Sequence, residues 1–226
     1  MLKHKQELRI TAFPRLHLTL IGMNEKGYRV NGGIGFAIKD PQLILIIKPS
    51  DSLQLIDNRH TQLSQNQYGK LAQIIEEVRT QYRFKYSISV KISGGMRTHY
   101  GFGSETSIRL SCLEALFILN EHQYESELLV SLSGRGGTSG IGLHTYFEGG
   151  MVLDIGRKYA GGSFKPSNYT ENRKKVALLL QRVPMPEWNI GVCIPLEISP
   201  KSDLEEKGFF KKTCPIADTN VYRPIQ

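Results

Sequence analysis

Three cysteines, Cys112, Cys193 and Cys214, stand among 226 residues, and no two are spaced as CxxC. An odd count without that spacing excludes a disulfide framework and a cysteine zinc site, and reduced thiols in a cytoplasmic protein are the expectation. Long apolar runs are missing as well. The stretch 43–47 falls far short of the about 20 residues that span a bilayer. The opening MLKHKQELRI has no apolar segment of a signal peptide, so no membrane partner is expected. No G-x-x-x-x-G-K-[ST] occurs, which excludes a P-loop. His4, His60, His122 and His144 lack metal-ligand partners at useful spacing, so no metal ligand set is named. Internal repeats and low-complexity tracts are absent too.

What is present is globular. The chain is 40% hydrophobic and 22% charged, with a formal net charge of +8. The basic residues are scattered, and the densest runs, Arg173-Lys174-Lys175 and Lys211-Lys212, are short. Such runs read as solvated surface rather than a nucleic-acid face, and a basic surface equally serves a phosphorylated small substrate.

Leu8, Ile10 and Ala12, then Leu16, Leu18 and Leu20, alternate with Arg9, Thr11, Arg15, His17 and Thr19. That is a strand signal on either side of Pro14, which lacks a ladder donor and marks an edge or bulge. Further strands fit 34–38, 43–48, 86–92, 151–155, 176–183 and 188–195. Helical spacing runs over 65–82 with Tyr68, Leu71, Ile75, Val78 and Tyr82 on one face, and helices also fit 104–119, 125–132 and 203–212. The segment 158–172 reads as loop. Strands come first and helices then interleave, an α+β order, with one candidate boundary between 156 and 175.

Four segments carry chemistry. In HYGFGSETS (99–107), Gly101 and Gly103 let the backbone turn sharply, and Ser104, Glu105, Thr106 and Ser107 stand where a helix begins. A helix N-terminus with free N–H groups receives anions, so a phosphate fits; a plain strand-to-helix turn capped by Ser104 fits equally. Glu105 favours the helix dipole but repels a phosphate unless it faces away or holds Mg²⁺. In GRGGTSGIG (134–142), five glycines in nine residues surround Arg135. Such a loop needs unusual dihedrals or close ligand approach, and its arginine suits a bidentate anion contact. Arg15 and His17 share one strand face, although a lone strand histidine is usually structural. NGGIG (31–35) enters a strand as a turn.

Taken in order, these segments resemble the GHMP superfamily of small-molecule kinases and relatives. AFPRLHLTLIG is similar to its first-strand motif, GFGSETS to its phosphate loop and TSGIG followed by GG to its third motif. Within that superfamily, PRLHLTLIGMN, VNGGIGFAI, GRGGTSGIGLHTYFEGGMVLDIG, PEWNIGVCIP and EEKGFFKKTCP resemble the beta-ribofuranosylaminobenzene 5'-phosphate synthases. The resemblance implies an α+β fold with a GHMP-type N-terminal domain over 1–160 and a partial ferredoxin-like part over 175–226. It implies a transferase that condenses 4-aminobenzoate or 4-hydroxybenzoate with phosphoribosyl pyrophosphate, releasing carbon dioxide and pyrophosphate, in tetrahydromethanopterin biosynthesis. Mg²⁺ accompanies the phosphoribosyl pyrophosphate, and a homodimer is the family expectation. Gly101, Gly103, Ser104, Glu105 and Thr106 then form the phosphate cradle, with Gly136, Gly137 and Ser139 lining it. Arg15, His17 and Arg135 become the catalytic candidates. Two departures stand out. Glu105 replaces a usual glycine, and the chain stops before the family's C-terminal strands, so truncation is expected. The third motif ends in Gly142, where the mevalonate-type kinases carry aspartate, which counts against hydroxyl phosphorylation. An ATP-dependent GHMP kinase, or an inactive truncated relative, is the alternative.

Overall fold

The computed structural model describes residues 7–135, 140–159, 161, 177–194 and 203–217. Its strands are β1 (Leu8–Ala12), β2 (Arg15–Ile21), β3 (Arg29–Val30), β4 (Gly32–Ala37), β5 (Leu43–Ser50), β6 (Gln54–Asp57), β7 (Ser87–Gly94), β8 (Met151–Asp154), β9 (Arg157–Lys158) and β10 (Leu179–Val183). Its helices are α1 (Gln65–Tyr82), α2 (Ser104–Leu119), α3 (Ser126–Leu132), α4 (Ile141–Glu148) and α5 (Asp203–Thr213). The chain clusters into two compact units, one of residues 1–15 with 37–133, the other of 16–36 with 134–226. The sequence boundary between 156 and 175 falls inside the second unit.

The first unit is built on a sheet of order β1-β5-β7-β6. β5 runs antiparallel to both β1 and β7, while β6 joins β7 in parallel. Alternation decides which side is core. Leu43, Leu45 and Ile47 of β5 and Ile88, Val90 and Ile92 of β7 are fully buried; half-buried Ile44 and Ile46 lie between the first set, and Ser89 and Lys91 between the second. α2 packs on this sheet and is buried nearly all round, Ile108, Leu110, Leu113, Leu116 and Phe117 included. Its apolar residues recur on most sides, as expected of a helix so enclosed. Cys112 lies on it, and burial pushes its thiol up to about 12, so it packs as an inert hydrophobe. α1 starts in a capping box, with Ser64 accepting from the Gln67 amide and Gln67 accepting from the Ser64 amide. Its buried face carries Gln67, Leu71, Ile74, Ile75 and Val78, so the stripe lies nearer Gln67 and Ile74 than the expected Tyr68 and Tyr82.

The second unit holds a sheet of order β10-β8-β4-β2 and a two-stranded ribbon, β3-β9. Pro14 is where the chain passes from one sheet to the other, since β1 pairs with β5 and β2 with β4. α4 packs on β8. Gly35 is required there, because a Cβ would stand 2.5 Å from Ile141 Cγ2 and 2.5 Å from the Leu16 carbonyl.

Three sequence expectations are corrected. Residues 188–194 form no strand among the described residues: Trp188 is 70% exposed, and its amide turns back to the Pro186 carbonyl at 2.7 Å. Alternation without a neighbouring ladder makes no strand. Lys158, expected to open a loop, pairs with Arg29 in a short ribbon, beside the Arg157–Val30 pair. β6 went unanticipated because four residues are too few to show a period. No helix among the described residues is long and apolar enough to cross a membrane.

Candidate functional site

In the first unit the segment 99–103 folds as a chain of left-handed turns. His99, Gly101 and Gly103 have φ of 65°, 81° and 79°. Phe102 between the glycines is buried and anchors the turn. Arg15 braces the same turn twice: its amide donates to the Phe102 carbonyl at 3.1 Å, and Nη1 donates to the Gly101 carbonyl at 2.7 Å. Gly103 leaves room for that arginine, since a Cβ would stand 3.2 Å from both Cγ and Nε of Arg15. Gly101 faces open space.

Gly103, not Ser104, occupies the N-cap of α2, and no side chain caps the helix. The first helical bond is Ser107 N–H to the Gly103 carbonyl at 3.1 Å. The N–H groups of the first turn, from Ser104 to Thr106, therefore have no intrahelical partner, and the aligned peptide dipoles place roughly half a positive charge there. Ser104 and Ser107 are buried and Thr106 is half-buried. The turn and the helix start together leave free donors at the end of a long, well-packed helix, the arrangement at which anions bind.

The Glu105 carboxylate is paired behind this end. Oε1 accepts from Arg109 Nη2 at 2.6 Å, one helical turn on, and Oε2 accepts from Gln67 Nε2 at 3.3 Å. Arg109 Nη1 continues to the Ser133 carbonyl at 3.2 Å. A carboxylate so neutralised does not oppose an incoming phosphate as a bare charge would, and it is not itself a phosphate ligand through its side chain. The same Gln67 Nε2 lies 3.2 Å from His99 Nε2. Gln67 Oε1 accepts from the Ser64 amide, so its Nε2 is the donor toward the His99 ring. The capping box of α1 thus fixes the residue that joins the loop to the helix.

A second brace lies upstream of the loop. Asp57 accepts from Arg59 Nε at 2.9 Å and Nη2 at 2.6 Å, and from the Leu63 amide at 3.0 Å. Arg59 Nη1 donates to the Met96 carbonyl at 3.1 Å, and the Thr98 amide donates to Thr61 Oγ1 at 2.7 Å. Burial alone would push the Asp57 carboxyl up, but the Arg59 hydrogen bonds and charge, with the Leu63 and Arg59 amides, hold it below its ordinary range.

The other expected residues belong to the second unit. His17 is half-buried on β2. Arg135 is buried, not a solvated loop residue. Gly136, Gly137 and Ser139 lie outside the described residues. The start of α4 meets a carboxylate that sequence reading missed. Asp154, fully buried on β8, accepts from the Gly140 amide at 3.0 Å and the Gly156 amide at 2.9 Å. Nearby, His144 Nε2 donates to the Ala177 carbonyl at 3.0 Å. Burial lowers its pKa, Arg182 adds to that, and the Ala177 bond and Asp154 oppose it.

Sequence reading also missed Gln67, Arg109 and Arg59. Gln67 was legible as the third residue of a capping box, and Arg109 as the i+4 partner of Glu105. Arg59 had no such signal. Among the described residues no group of three or more His, Cys, Asp or Glu is placed to hold a metal ion.

No protein-family model matches the chain. Three curated relatives do, each named beta-ribofuranosylphenol 5'-phosphate synthase. The protein of Archaeoglobus fulgidus is 29% identical over 92% of this chain and 64% of its own length. That of Methanothermobacter thermautotrophicus is 27% identical over 96% of this chain and 67% of its own. The chain thus spans about two thirds of the length of the curated relatives it matches. Among solved structures, L. major mevalonate kinase in complex with R-mevalonate superposes with a TM-score of 0.53 at 15% identity, over 73% of this chain and 55% of that one. Streptococcus pneumoniae phosphomevalonate kinase gives 0.53 at 16% identity, over 68% and 49%. These likenesses show the fold. The chain is thus similar in sequence to the beta-ribofuranosylphenol 5'-phosphate synthases and has the fold of the GHMP kinases.

Proposed function

We propose that this chain carries the phosphoribosyl-transferring chemistry of its relatives, joining phosphoribosyl pyrophosphate to an aromatic acid with loss of carbon dioxide and pyrophosphate. The observation that carries the proposal is the shared synthase name of three relatives matched over 89–96% of this chain. Their name specifies a phenol, which favours 4-hydroxybenzoate over 4-aminobenzoate as acceptor. The place in tetrahydromethanopterin biosynthesis follows from the same reading. The kinase alternative finds no support in those names.

In this proposal the pyrophosphate end of the donor sits on the first turn of α2. Gly101 and Gly103 let it approach the backbone, and the amides and hydroxyls of Ser104 and Thr106 donate to its oxygens. Arg15 keeps the turn in shape by holding the Gly101 carbonyl. The ring carbon bearing the carboxylate attacks the ribosyl carbon as the bond to pyrophosphate breaks, and that bond's electrons leave with pyrophosphate. The carboxylate then departs as carbon dioxide, and its bonding pair restores the aromatic ring. The chain's contribution is position and charge stabilisation of the leaving group. Mg²⁺ enters as the counter-ion of the diphosphate; the described residues offer no resident cluster for it, and Glu105 is already engaged by Arg109 and Gln67. His17 and Arg135, in the second unit, and Gly136, Gly137 and Ser139, outside the described residues, are proposed on the resemblance alone.

The test is incubation of folded protein with 4-hydroxybenzoate, phosphoribosyl pyrophosphate and Mg²⁺. Release of carbon dioxide and pyrophosphate in equal amounts is expected. Folded protein that releases neither, but is stabilised by ATP, would return the assignment to a kinase.

A further inference from the structure

The ribbon of the second unit carries two polar groups that its own fold does not satisfy. Arg157 on β9 pairs with Val30 on β3, and paired residues point to the same side of a ladder. Val30 and Met23 are the buried centre of an apolar cluster against which Tyr159, Phe210 and Cys214 pack. Arg157 therefore emerges beside apolar and aromatic side chains. Its Nε is buried with no hydrogen-bond partner, and its guanidinium makes no ion pair among the described residues. The neighbouring arginine behaves otherwise: Arg29 donates from Nε to the Ile155 carbonyl at 3.1 Å and from Nη2 to the Gly156 carbonyl at 2.5 Å. One arginine ties the ribbon to the chain beyond it, and the other has no structural employment.

Asn31 supplies the second observation. It follows Val30 directly, is fully buried, and holds a left-handed φ of 63°. Its Oδ1 has no partner, and its Nδ2 reaches only the Met23 sulfur at 3.8 Å, a weak contact. Gly156 brings the two residues together, because a Cβ there would run into the Val30 carbonyl and the backbone of Asn31. A half-buried guanidinium with a desolvated, unpartnered Nε and an unsatisfied amide within one ladder step cost stability and return none of it through the fold. The guanidinium fork fits a carboxylate, and its single charge matches a carboxylate's. A phosphate dianion would face one cation and an apolar wall. The amide, turned over, presents its NH₂ group and gives up only the sulfur contact.

We infer that Arg157 and Asn31 form a carboxylate-recognition site at the rim of the Met23–Val30 cluster, which takes a small aromatic acid with its ring against the apolar side chains. That the acid is the acceptor of the transfer rests on the function proposed above; the site itself rests on the two unsatisfied groups.

Titration of 4-hydroxybenzoate into the protein by calorimetry, with phenol as a carboxylate-free control, tests it. Arg157→Gln is expected to weaken 4-hydroxybenzoate at least tenfold, leave phenol unchanged and leave pyrophosphate affinity unchanged. Asn31→Asp, which sets a negative charge against the anion and tolerates the left-handed backbone, is expected to weaken it as much, and keeps the test open should the arginine variant fail to fold. Equal affinity for 4-hydroxybenzoate in the parent and either folded variant overturns the assignment, and so does absence of binding by the parent. A parent that binds 4-hydroxybenzoate through Arg157 yet releases no pyrophosphate from the donor leaves this site standing and removes the proposed reaction.

Discussion

At the scale of single residues, the candidate site depends on backbone that only glycine holds cheaply and on a charge that the fold has neutralised. Gly103 sits at φ 79° against Arg15. A side chain there pays about 1 kcal/mol for the left-handed backbone and must also displace the arginine that shapes the loop. Gly103→Ala should lower the melting temperature by about 2–4 °C and weaken pyrophosphate binding, read by thermal melts and calorimetry. A loss of stability with full pyrophosphate affinity would make the glycine structural only. Glu105 and Arg109 have side chains 12% and 8% exposed and lie 2.6 Å apart. Glu105→Ala leaves a buried guanidinium without its carboxylate, and a loss on the order of 3–5 kcal/mol is expected in urea unfolding. Adding Arg109→Met should recover much of it, since the pair's absence costs far less than half a pair.

At the scale of elements, the loop before α2 is held in place by the segment that links β6 to α1. The Asp57 carboxyl titrates below its ordinary 3.8. Its contribution is therefore complete above the unfolded value and disappears as pH falls through the folded one. Parent stability should fall more steeply below about pH 4 than that of Asp57→Asn, measured by urea midpoints across pH. His144 gives a second window at the start of the second sheet. Its pKa lies below 6.5 in the folded protein, so its contribution is complete above about pH 6.5 and is lost as pH falls through the folded value. His144→Gln should flatten the stability curve on that acid side, and an unchanged slope would show that His144 is not the group that titrates.

The same elements show what the sequence made legible. The extents of α1 and α2 were readable because apolar spacing is a local property. The loop of 99–107 was readable as a sharp turn into a helix. What holds it was not, because Arg15 reaches Gly101 across 86 positions and Gln67 reaches Glu105 across 38. The strand expected over 188–195 failed for the same reason in reverse: alternation is local, but a ladder needs a neighbour. Asp154 read as the end of a strand, and only the fold shows its carboxylate on the Gly140 amide.

At the scale of the whole molecule, each compact unit draws on two stretches of the chain, so neither is a contiguous segment. The first unit carries the uncapped start of α2 with its braces. The second carries Asp154, His144 and the Arg157–Asn31 ribbon. In the first unit, the uncapped start of α2 behind Gly101 and Gly103 is the proposed diphosphate site. Amide proton and nitrogen shifts recorded while pyrophosphate is titrated in address it most directly. Saturable shifts concentrated on residues 101–107, and abolished in Gly103→Ala, are expected. Saturable binding that leaves those amides unmoved, or no binding by the folded protein, would contradict it.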